Sequence, residues 1–233
     1  MVQFFFGDKN YSYDISKHNN ILCSDYFKDS QLAFLQEQME LSSLIILKQV
    51  HGINGLIIKE PLINITLRTF EGDFLITNQK NIGLGLLTAD CLPIIFYDEV
   101  KQVVAAAHAG WRGSVLKIAQ KVITEMKLQF DCKVGDIQLF FGPAAQVCCY
   151  EVSDNFYSNA LNDTLFACSI IKRGERLFFD NGLYNLNQLL SLGIMQDNVN
   201  YDSFLCTMCN DVFCSYRKDQ KAQTRNITVV SLK

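Results

Sequence analysis

Three residues of the sequence have side chains that bind divalent transition metals, and they share a local setting. His51, Cys91 and His108 each stand beside a short aliphatic segment, with a glycine or a turn close by. Side chains at the ends of strands leave the packed sheet but keep its support, and α/β proteins bind ligands there. If the strands that carry them are neighbours, we expect the three residues to converge.

Two imidazoles and one thiolate would form an open metal site. Three protein ligands leave the fourth tetrahedral position of zinc to water, as in catalytic rather than structural zinc sites. Water bound there ionises near pH ~7. The same donors with a weak axial ligand also suit a mononuclear copper site, so copper is the alternative metal. Spacing alone leaves a simpler interpretation open, in which the histidines hydrogen-bond within turns and Cys91 is a small buried hydrophobic residue.

The segment after His108 has features of an anion site. Gly110 and Gly113 free the backbone at the expected start of a helix, where unpaired N–H groups and the helix dipole favour an anion. Arg112 adds a guanidinium group that suits phosphate. The alternative is a turn relieved by glycine, in which Arg112 forms a salt bridge and Trp111 fills the core.

The other cysteines are less informative. Cys206 and Cys209 form a Cys-x₂-Cys pair with Cys214 nearby, which is part of a zinc-site pattern. A fourth ligand at the usual spacing is missing, so we interpret these thiols, and the adjacent pair Cys148 and Cys149, as packing.

The composition excludes several classes of protein. Hydrophobic residues make up 49% and charged residues 19% of 233 residues, which argues against a disordered, collagen-like or coiled-coil chain. The net charge of −3, without a block of like charges, argues against nucleic-acid binding. No apolar run approaches the roughly 18 residues of a membrane span. Nine cysteines without a recognisable export signal favour a cytoplasmic protein with reduced thiols or metal ligands.

Aliphatic and β-branched segments predict the strands that must position the candidate ligands, and a 3.6-residue period predicts helices. Asp29 or Ser30 is the expected cap of the first helix, and Asn185 that of the last. Interspersed strands and helices predict an α+β fold, a layered mixed β-sheet covered by helices, in one domain over residues 1–233. The predicted strands are 4–6, 44–50, 73–77, 83–87, 93–97, 102–107, 137–141 and 227–230, with a hairpin turn at 98–101; the predicted helices are 29–40, 113–127, 153–162 and 185–192.

Several motifs together resemble a known family. The sequence is similar to the YfiH-like laccase-domain family, once called multicopper polyphenol oxidoreductases and associated with purine nucleoside phosphorylase and adenosine deaminase activity. The most specific motifs are Thr-Ala-Asp-Cys at 88–91 and His-Ala-Gly-Trp-Arg-Gly at 108–113. The others are 49–52, 72–73 with 76–77, 142–143 followed by 149–152, and 215–219.

The resemblance implies that His51, Cys91 and His108 are the metal ligands of a YfiH-like fold that is commonly a homodimer. It makes Glu151 a candidate proton carrier; the alternative is a carboxylate at the surface or at the start of a helix. It implies purine nucleosides and phosphate as substrates, with adenosine deamination and methylthioadenosine phosphorolysis as further activities. The stretch 4–14 lacks the Arg and the Gly pair that are usual in the family. Residues 144–148 and 218–220 also depart from the family's pattern. These departures affect the expected range of substrates and not the metal ligands.

Three functional hypotheses follow. The first is a cytoplasmic zinc-dependent purine nucleoside phosphorylase in which Cys91 and His108 are catalytic and Arg112, or Arg217 with Lys218, holds phosphate. The second is a mononuclear copper redox protein. Three histidines are too few for a multicopper oxidase, which needs a blue-copper centre and a trinuclear cluster. The third is a non-enzymatic member with an altered substrate site.

Overall fold

The computed structural model describes residues 1–15, 30–60, 70–158, 163–221 and 223–233. Fourteen strands and six helices lie within them. The strands are β1 (Val2–Phe6), β2 (Ser12–Asp14), β3 (Ser43–Ile46), β4 (Gly55–Ile58), β5 (Phe74–Thr77), β6 (Ile82–Thr88), β7 (Leu92–Asp98), β8 (Val103–Ala109), β9 (Ile137–Phe141), β10 (Glu151–Val152), β11 (Ile170–Arg173), β12 (Arg176–Phe179), β13 (Val199–Asn200) and β14 (Thr224–Leu232). The helices are α1 (Ser30–Gln38), α2 (Trp111–Val115), α3 (Ile118–Phe130), α4 (Asp154–Ser158), α5 (Thr164–Cys168) and α6 (Asn181–Ser191).

The strands form two larger sheets and one small one. The first sheet has the order β1-β14-β6-β3, with β2 paired to another part of β14. The second has the order β13-β9-β7-β8-β5-β4, and the third is β10-β12-β11. Both larger sheets are mixed, because β3 pairs with β6, β4 with β5, and β13 with β9 in parallel, whereas the other pairs are antiparallel.

The two larger sheets pack face to face, and helices cover the outer face of the second. On β7, Ile95 and Tyr97 face the first sheet, while Ile94 and Phe96 face helix α3. Successive side chains of a strand point to opposite faces, so a strand buried on both faces reads as a continuous apolar run. The predicted layered αβ class with mixed sheets and covering helices is confirmed.

The second sheet brings two of the candidate ligands to the same end of its central strands. Strands β7 and β8 are antiparallel neighbours, with Pro93 opposite His108, so Cys91 lies just beyond that pair. Strand β5 lies on the other side of β8, and the N–H of His108 donates to the carbonyl of Asp73 at 2.8 Å. His51 lies in the loop that leads from β3 of the first sheet to β4 of the second.

Several predicted elements differ in their bounds. The predicted helix from Gly113 is two helices, because Lys117 takes a left-handed conformation at φ +68° between α2 and α3. The predicted strand 44–50 ends at Ile46, and the side-chain amide of Gln49 then bonds both backbone groups of Leu87 at 2.8 Å. Helix α1 begins at Ser30, and Asp29 lies outside the described residues, as do residues 159–162 of the predicted helix 153–162.

The predicted cap Asn185 was wrong. Helix α6 begins four residues earlier, and Asp180 caps it by accepting a hydrogen bond from the N–H of Leu183 at 2.8 Å. Asn185 lies buried inside the helix and donates to Ser114 Oγ at 2.9 Å. A buried polar residue that forms a hydrogen bond to a neighbouring helix is therefore easily mistaken for a cap when only the sequence is considered. No helix in the described part of the chain is long and apolar enough to cross a membrane.

Candidate metal centre

His51 sits in a backbone conformation that a carboxylate holds in place. Its φ is +61°, in the left-handed region, which is uncommon for a non-glycine residue. Asp73 Oδ1 accepts the N–H of His51 at 2.9 Å, and Asp73 Oδ2 accepts the N–H of Gly52 at 2.7 Å. Asp73 thus fixes the turn that presents the imidazole.

The same carboxylate orients His108. Asp73 Oδ1 lies 2.8 Å from His108 Nδ1, and both side chains are buried. Ionised carboxylates only accept hydrogen bonds, so Nδ1 carries the proton. When the ring is neutral, this leaves the lone pair on Nε2, and carboxylates play this part behind metal-binding histidines.

Cys91 lies in the turn between β6 and β7. The preceding Asp90 has φ +84°, and its carboxylate accepts hydrogen bonds from Thr207 Oγ1 and from the N–H of Arg217, both at 2.7 Å. An extended strand would direct the side chains of Asp90 and Cys91 to opposite faces. A turn interrupts the strand instead, and both carboxylate oxygens of Asp90 bond to the 206–217 loop.

The three candidate ligand atoms come together. One donor atom from each of His51, Cys91 and His108 lies within 4.8 Å of the others, and Cys91 Sγ is 3.8 Å from His51 Nε2. Donors at about 2.0–2.3 Å from a tetrahedral zinc ion lie roughly 3.3–3.8 Å apart. The two imidazole rings meet edge to face at a centroid distance of 4.7 Å. The residues therefore fit a single small cation with three protein ligands.

Gly110 makes room for this arrangement. A Cβ added at Gly110 would lie 2.8 Å from His51 Cδ2 and 3.1 Å from Cys91 Sγ. Its backbone angles, φ −67° and ψ 161°, are open to other residues. The glycine is therefore needed for space rather than for conformation.

The electrostatics of the site favour a thiolate. Burial works to raise the pKa of Cys91, but the charge and hydrogen bond of His108, with His51, lower that pKa to about 6. Burial works to lower the pKa of His108, while the Cys91 charge and the Asp73 hydrogen bond raise it to about 9. Metal ions bind cysteine as the thiolate, so the protein stabilises the form of Cys91 that a cation requires.

A cavity of about 310 Å³ opens beside the three residues. This volume is at the small end of the range of ligand pockets. Its wall contains the three candidate ligands, Gln49, Arg225 of β14, and Tyr216, which is 49% exposed. The remaining lining residues are Ile15, Leu47, Leu87 and Ala89.

The residues predicted to bind phosphate lie outside the lining of this cavity. Arg112 is exposed and stacks on Trp111, with its guanidinium carbon 5.3 Å from the ring centroid. Its helix α2 has only five residues. Arg217 stacks on Tyr150 at 4.2 Å and donates to the carbonyl of Glu151 at 2.7 Å. Lys218 pairs with Asp211.

Glu151 likewise lies outside that lining. It begins the short strand β10, is 43% exposed and forms an ion pair with Arg176, which lowers its pKa. An ionised carboxylate can accept a proton but cannot donate one.

Sequence reasoning missed the residues that support the site. Asp73 gave no signal beyond a polar residue ahead of a buried strand, although Gly72 and Asp73 belong to the motifs of the resemblance. Tyr216 and Arg225 lie more than a hundred residues from the ligands, and only the closure of β14 against β6 brings them near.

The chain is similar in sequence to known proteins. The family described as multi-copper polyphenol oxidoreductase laccase matches residues 28–233. A purine nucleoside phosphorylase from Borreliella burgdorferi is 36% identical over 185 residues, which cover 76% of this chain and 75% of that protein. An adenosine deaminase from an unknown prokaryotic organism is 35% identical over 146 residues, which cover 57% of this chain and 55% of that protein.

Solved structures show the same fold. The hypothetical protein YfiH of Bacillus licheniformis superposes with a TM-score of 0.85 at 24% identity, over 100% of this chain and 93% of that one. YlmD from Geobacillus stearothermophilus superposes with a TM-score of 0.80 at 24% identity, over 100% of this chain and 90% of that one.

Proposed function

This chain belongs to the multi-copper polyphenol oxidoreductase laccase family, and from that premise we propose that it is a zinc-dependent purine nucleoside phosphorylase. The observation that carries the proposal is the convergence of His51, Cys91 and His108 in the wall of a ligand-sized cavity. The relative from Borreliella burgdorferi that bears this enzyme name supports the substrate class. The proposal takes residues 1–233 as one catalytic domain.

The donor set argues against the multicopper chemistry in the family's name. The sequence has three histidines, of which two belong to the cluster and His18 lies outside the described residues. A trinuclear copper centre beside a blue-copper site needs many more imidazoles. A mononuclear copper site would use the same three residues, so metal analysis of the purified protein decides between zinc and copper.

In phosphorolysis a phosphate oxygen bonds to the anomeric carbon of the nucleoside while the bond from that carbon to the purine nitrogen breaks. The leaving purine must gain a proton or bind a cation. A zinc ion held by His51, Cys91 and His108 would supply Lewis acidity at this place. Asp73 would keep the proton of His108 on Nδ1, so that Nε2 stays a donor to the metal.

The cavity offers partners for both substrates. Arg225 carries a planar guanidinium group, which can donate to two oxygens of one phosphate. Tyr216 presents a half-exposed aromatic ring in the same wall, and aromatic faces stack on purine bases. The phosphate-binding role of Arg112, Arg217 and Lys218, and proton transfer by Glu151, stay predictions to be tested beside Arg225.

Adenosine deamination is a second candidate activity, because a relative of 35% identity bears the name adenosine deaminase. Water would replace the amino group at C6 of the purine, and ammonia would leave. Methylthioadenosine is a further candidate substrate of the phosphorolysis. All these substrates share a purine that the same cavity would have to accept.

Product analysis tests the proposal directly. Untagged protein is incubated with inosine, adenosine or methylthioadenosine, with and without phosphate, and the products are separated by chromatography. We expect free base only when phosphate is present, and inosine from adenosine in either case. Cys91→Ala should abolish both reactions, whereas Cys168→Ala, at an exposed cysteine on α5, should leave them unchanged. Zinc-loaded protein that turns over none of these nucleosides would contradict the proposal, and an intense blue colour would favour copper.

A further inference from the structure

A second group of metal-binding side chains lies apart from the candidate metal centre. Cys148, Cys149, Cys206 and Cys209 place their sulfur atoms within 4.8 Å of one another. The Sγ of Cys209 is 3.4 Å from that of Cys148 and 3.1 Å from that of Cys149. Two pairs of thiols some sixty residues apart thus form one compact group.

The backbone brings the two pairs together independently of the sulfur atoms. The loop after β9 and the loop before β14 run side by side, with Ala144 bridged to Cys206. The N–H of Ala144 donates to the carbonyl of Leu205 at 3.1 Å, and the N–H of Thr207 donates to the carbonyl of Ala144 at 3.0 Å. Backbone hydrogen bonds therefore join the two loops that carry the thiols.

The Cys206 to Cys209 turn presents backbone N–H groups to sulfur. Burial works to raise the pKa of Cys206, but hydrogen bonds from the backbone of Gln146, Cys209 and Met208 lower it. The turn thus directs hydrogen-bond donors at one sulfur atom of the group.

We propose that Cys148, Cys149, Cys206 and Cys209 bind one structural zinc ion. A tetrahedral zinc ion holds thiolates at about 2.3 Å, which places neighbouring sulfur atoms about 3.8 Å apart. In the structure Cys209 Sγ lies 3.4 Å and 3.1 Å from two of the other sulfur atoms, and all four lie within 4.8 Å of one another. Four thiolates leave no open position for a substrate, so the ion would be structural.

This zinc ion would brace the turn that carries Cys91. The N–H of Ala145, in the first cysteine loop, donates to the carbonyl of Asp90 at 2.9 Å. Thr207, between the cysteines of the second loop, donates to the carboxylate of Asp90 at 2.7 Å. Tying the two loops together would hold two of the hydrogen-bond partners of Asp90, the residue next to Cys91.

The sequence could not reveal this cluster. The Cys-x₂-Cys pair was interpreted as packing because its fourth ligand was sought nearby, and Cys214 was counted as the third thiol. Cys214 instead lies buried outside the cluster, where its N–H donates to Asn226 Oδ1 at 2.7 Å. The missing ligands are Cys148 and Cys149.

Zinc counting tests the proposal without any assay of activity. Untagged protein is purified with reductant, and zinc per chain is measured by elemental analysis. We expect two zinc ions in the unaltered protein, one in Cys91→Ala, and one in Cys148→Ser or Cys209→Ser. Cys168→Ser, which removes an exposed cysteine outside both clusters, should keep two.

Cys91→Ala keeps the test decisive if the other variants fail to fold, because it leaves all four thiols intact. We expect its single zinc ion to protect four cysteines from alkylation until a chelator is added, with the modified residues identified by mass spectrometry. A metal-free Cys91→Ala protein, iron in place of zinc, or a disulfide between these cysteines in reduced protein would overturn the proposal. So would an unchanged zinc count in folded Cys209→Ser.

Discussion

Asp73 Oδ1 lies 2.8 Å from His108 Nδ1, and the same carboxyl group holds the backbone of His51. One buried carboxylate thus positions two imidazoles from different sheets. Burial works to raise the pKa of Asp73, but His108 and the N–H groups of Gly52 and His51 lower it, so the group is ionised at neutral pH. The candidate metal centre therefore depends on a residue that is not one of its three candidate ligands.

Asp73→Asn should weaken metal binding by about 10- to 100-fold, the usual effect of losing a partner behind a ligand. The amide has nearly the same shape but carries no charge and only one acceptor oxygen. It therefore cannot accept both from His108 and His51, as Oδ1 does, and from Gly52, as Oδ2 does. Zinc affinity measured by competition with a chelator checks this prediction.

Glu71→Gln is the matched control for Asp73→Asn. Glu71 is two residues away and pairs with Lys48 at an exposed position. Zinc affinity should be unchanged in this variant. Equal affinities in Asp73→Asn and the unaltered protein would mean that the carboxylate does not orient the ligands.

Gly110→Ala should disturb the same centre by steric contact alone. The added Cβ would lie 2.8 Å from His51 Cδ2, and the backbone angles accept alanine. We expect zinc affinity to fall by roughly 10-fold or more, as when ligand orientation is lost, while the thermal midpoint of metal-free protein changes little.

Gly135→Ala controls for the loss of a glycine, because nothing lies within 4 Å of a Cβ added there. If both variants bind zinc like the unaltered protein, the three ligand residues have more freedom than the structure gives them.

Much of the fold and of the candidate site followed from local patterns. The bounds of the central strands β7 and β8 and of the turn between them were predicted closely. Both faces of these strands are buried, so the strands form nearly continuous hydrophobic runs in the sequence. Cys91 and His108 stood out because a metal-binding residue at the end of such a run is conspicuous. His51 was found in the same way.

The remaining features depend on contacts that sequence distance conceals. Asp73 acquires its role only because β5 lies beside β8, and Arg225 only because β14 closes against β6. Asn185 lies inside a helix and bonds to Ser114 of another helix. The sequence does not show this contact, so the polar residue resembled a helix cap. The second pair of thiols was missed for the same reason.

Thr207→Val should lower the free energy of unfolding by about 1–3 kcal/mol, because it leaves a buried oxygen of Asp90 without its partner. Valine keeps the shape of threonine, so packing is conserved. Denaturant unfolding measures the change, and Asp90→Asn with the double variant measures the coupling between the two residues.

Thr124→Val is the control for Thr207→Val, since Thr124 is exposed on α3 and bonds only the preceding turn. Its effect should stay within about 0.5 kcal/mol. Equal effects in the two variants would show that the link from Asp90 to the second cysteine loop does not stabilise the fold.

Arg225→Gln should raise the KM for phosphate by about 10-fold or more, which is the effect of losing a hydrogen bond to a charged group. Arg225 lines the cavity with all three ligands, whereas Arg112 stacks on Trp111 outside that lining. Steady-state kinetics at varied phosphate, with zinc content measured on the same samples, check the prediction; zinc content should not change. Arg112→Gln in the same assay separates the two assignments: a raised KM there, with Arg225→Gln unaffected, would move the phosphate site to the start of α2.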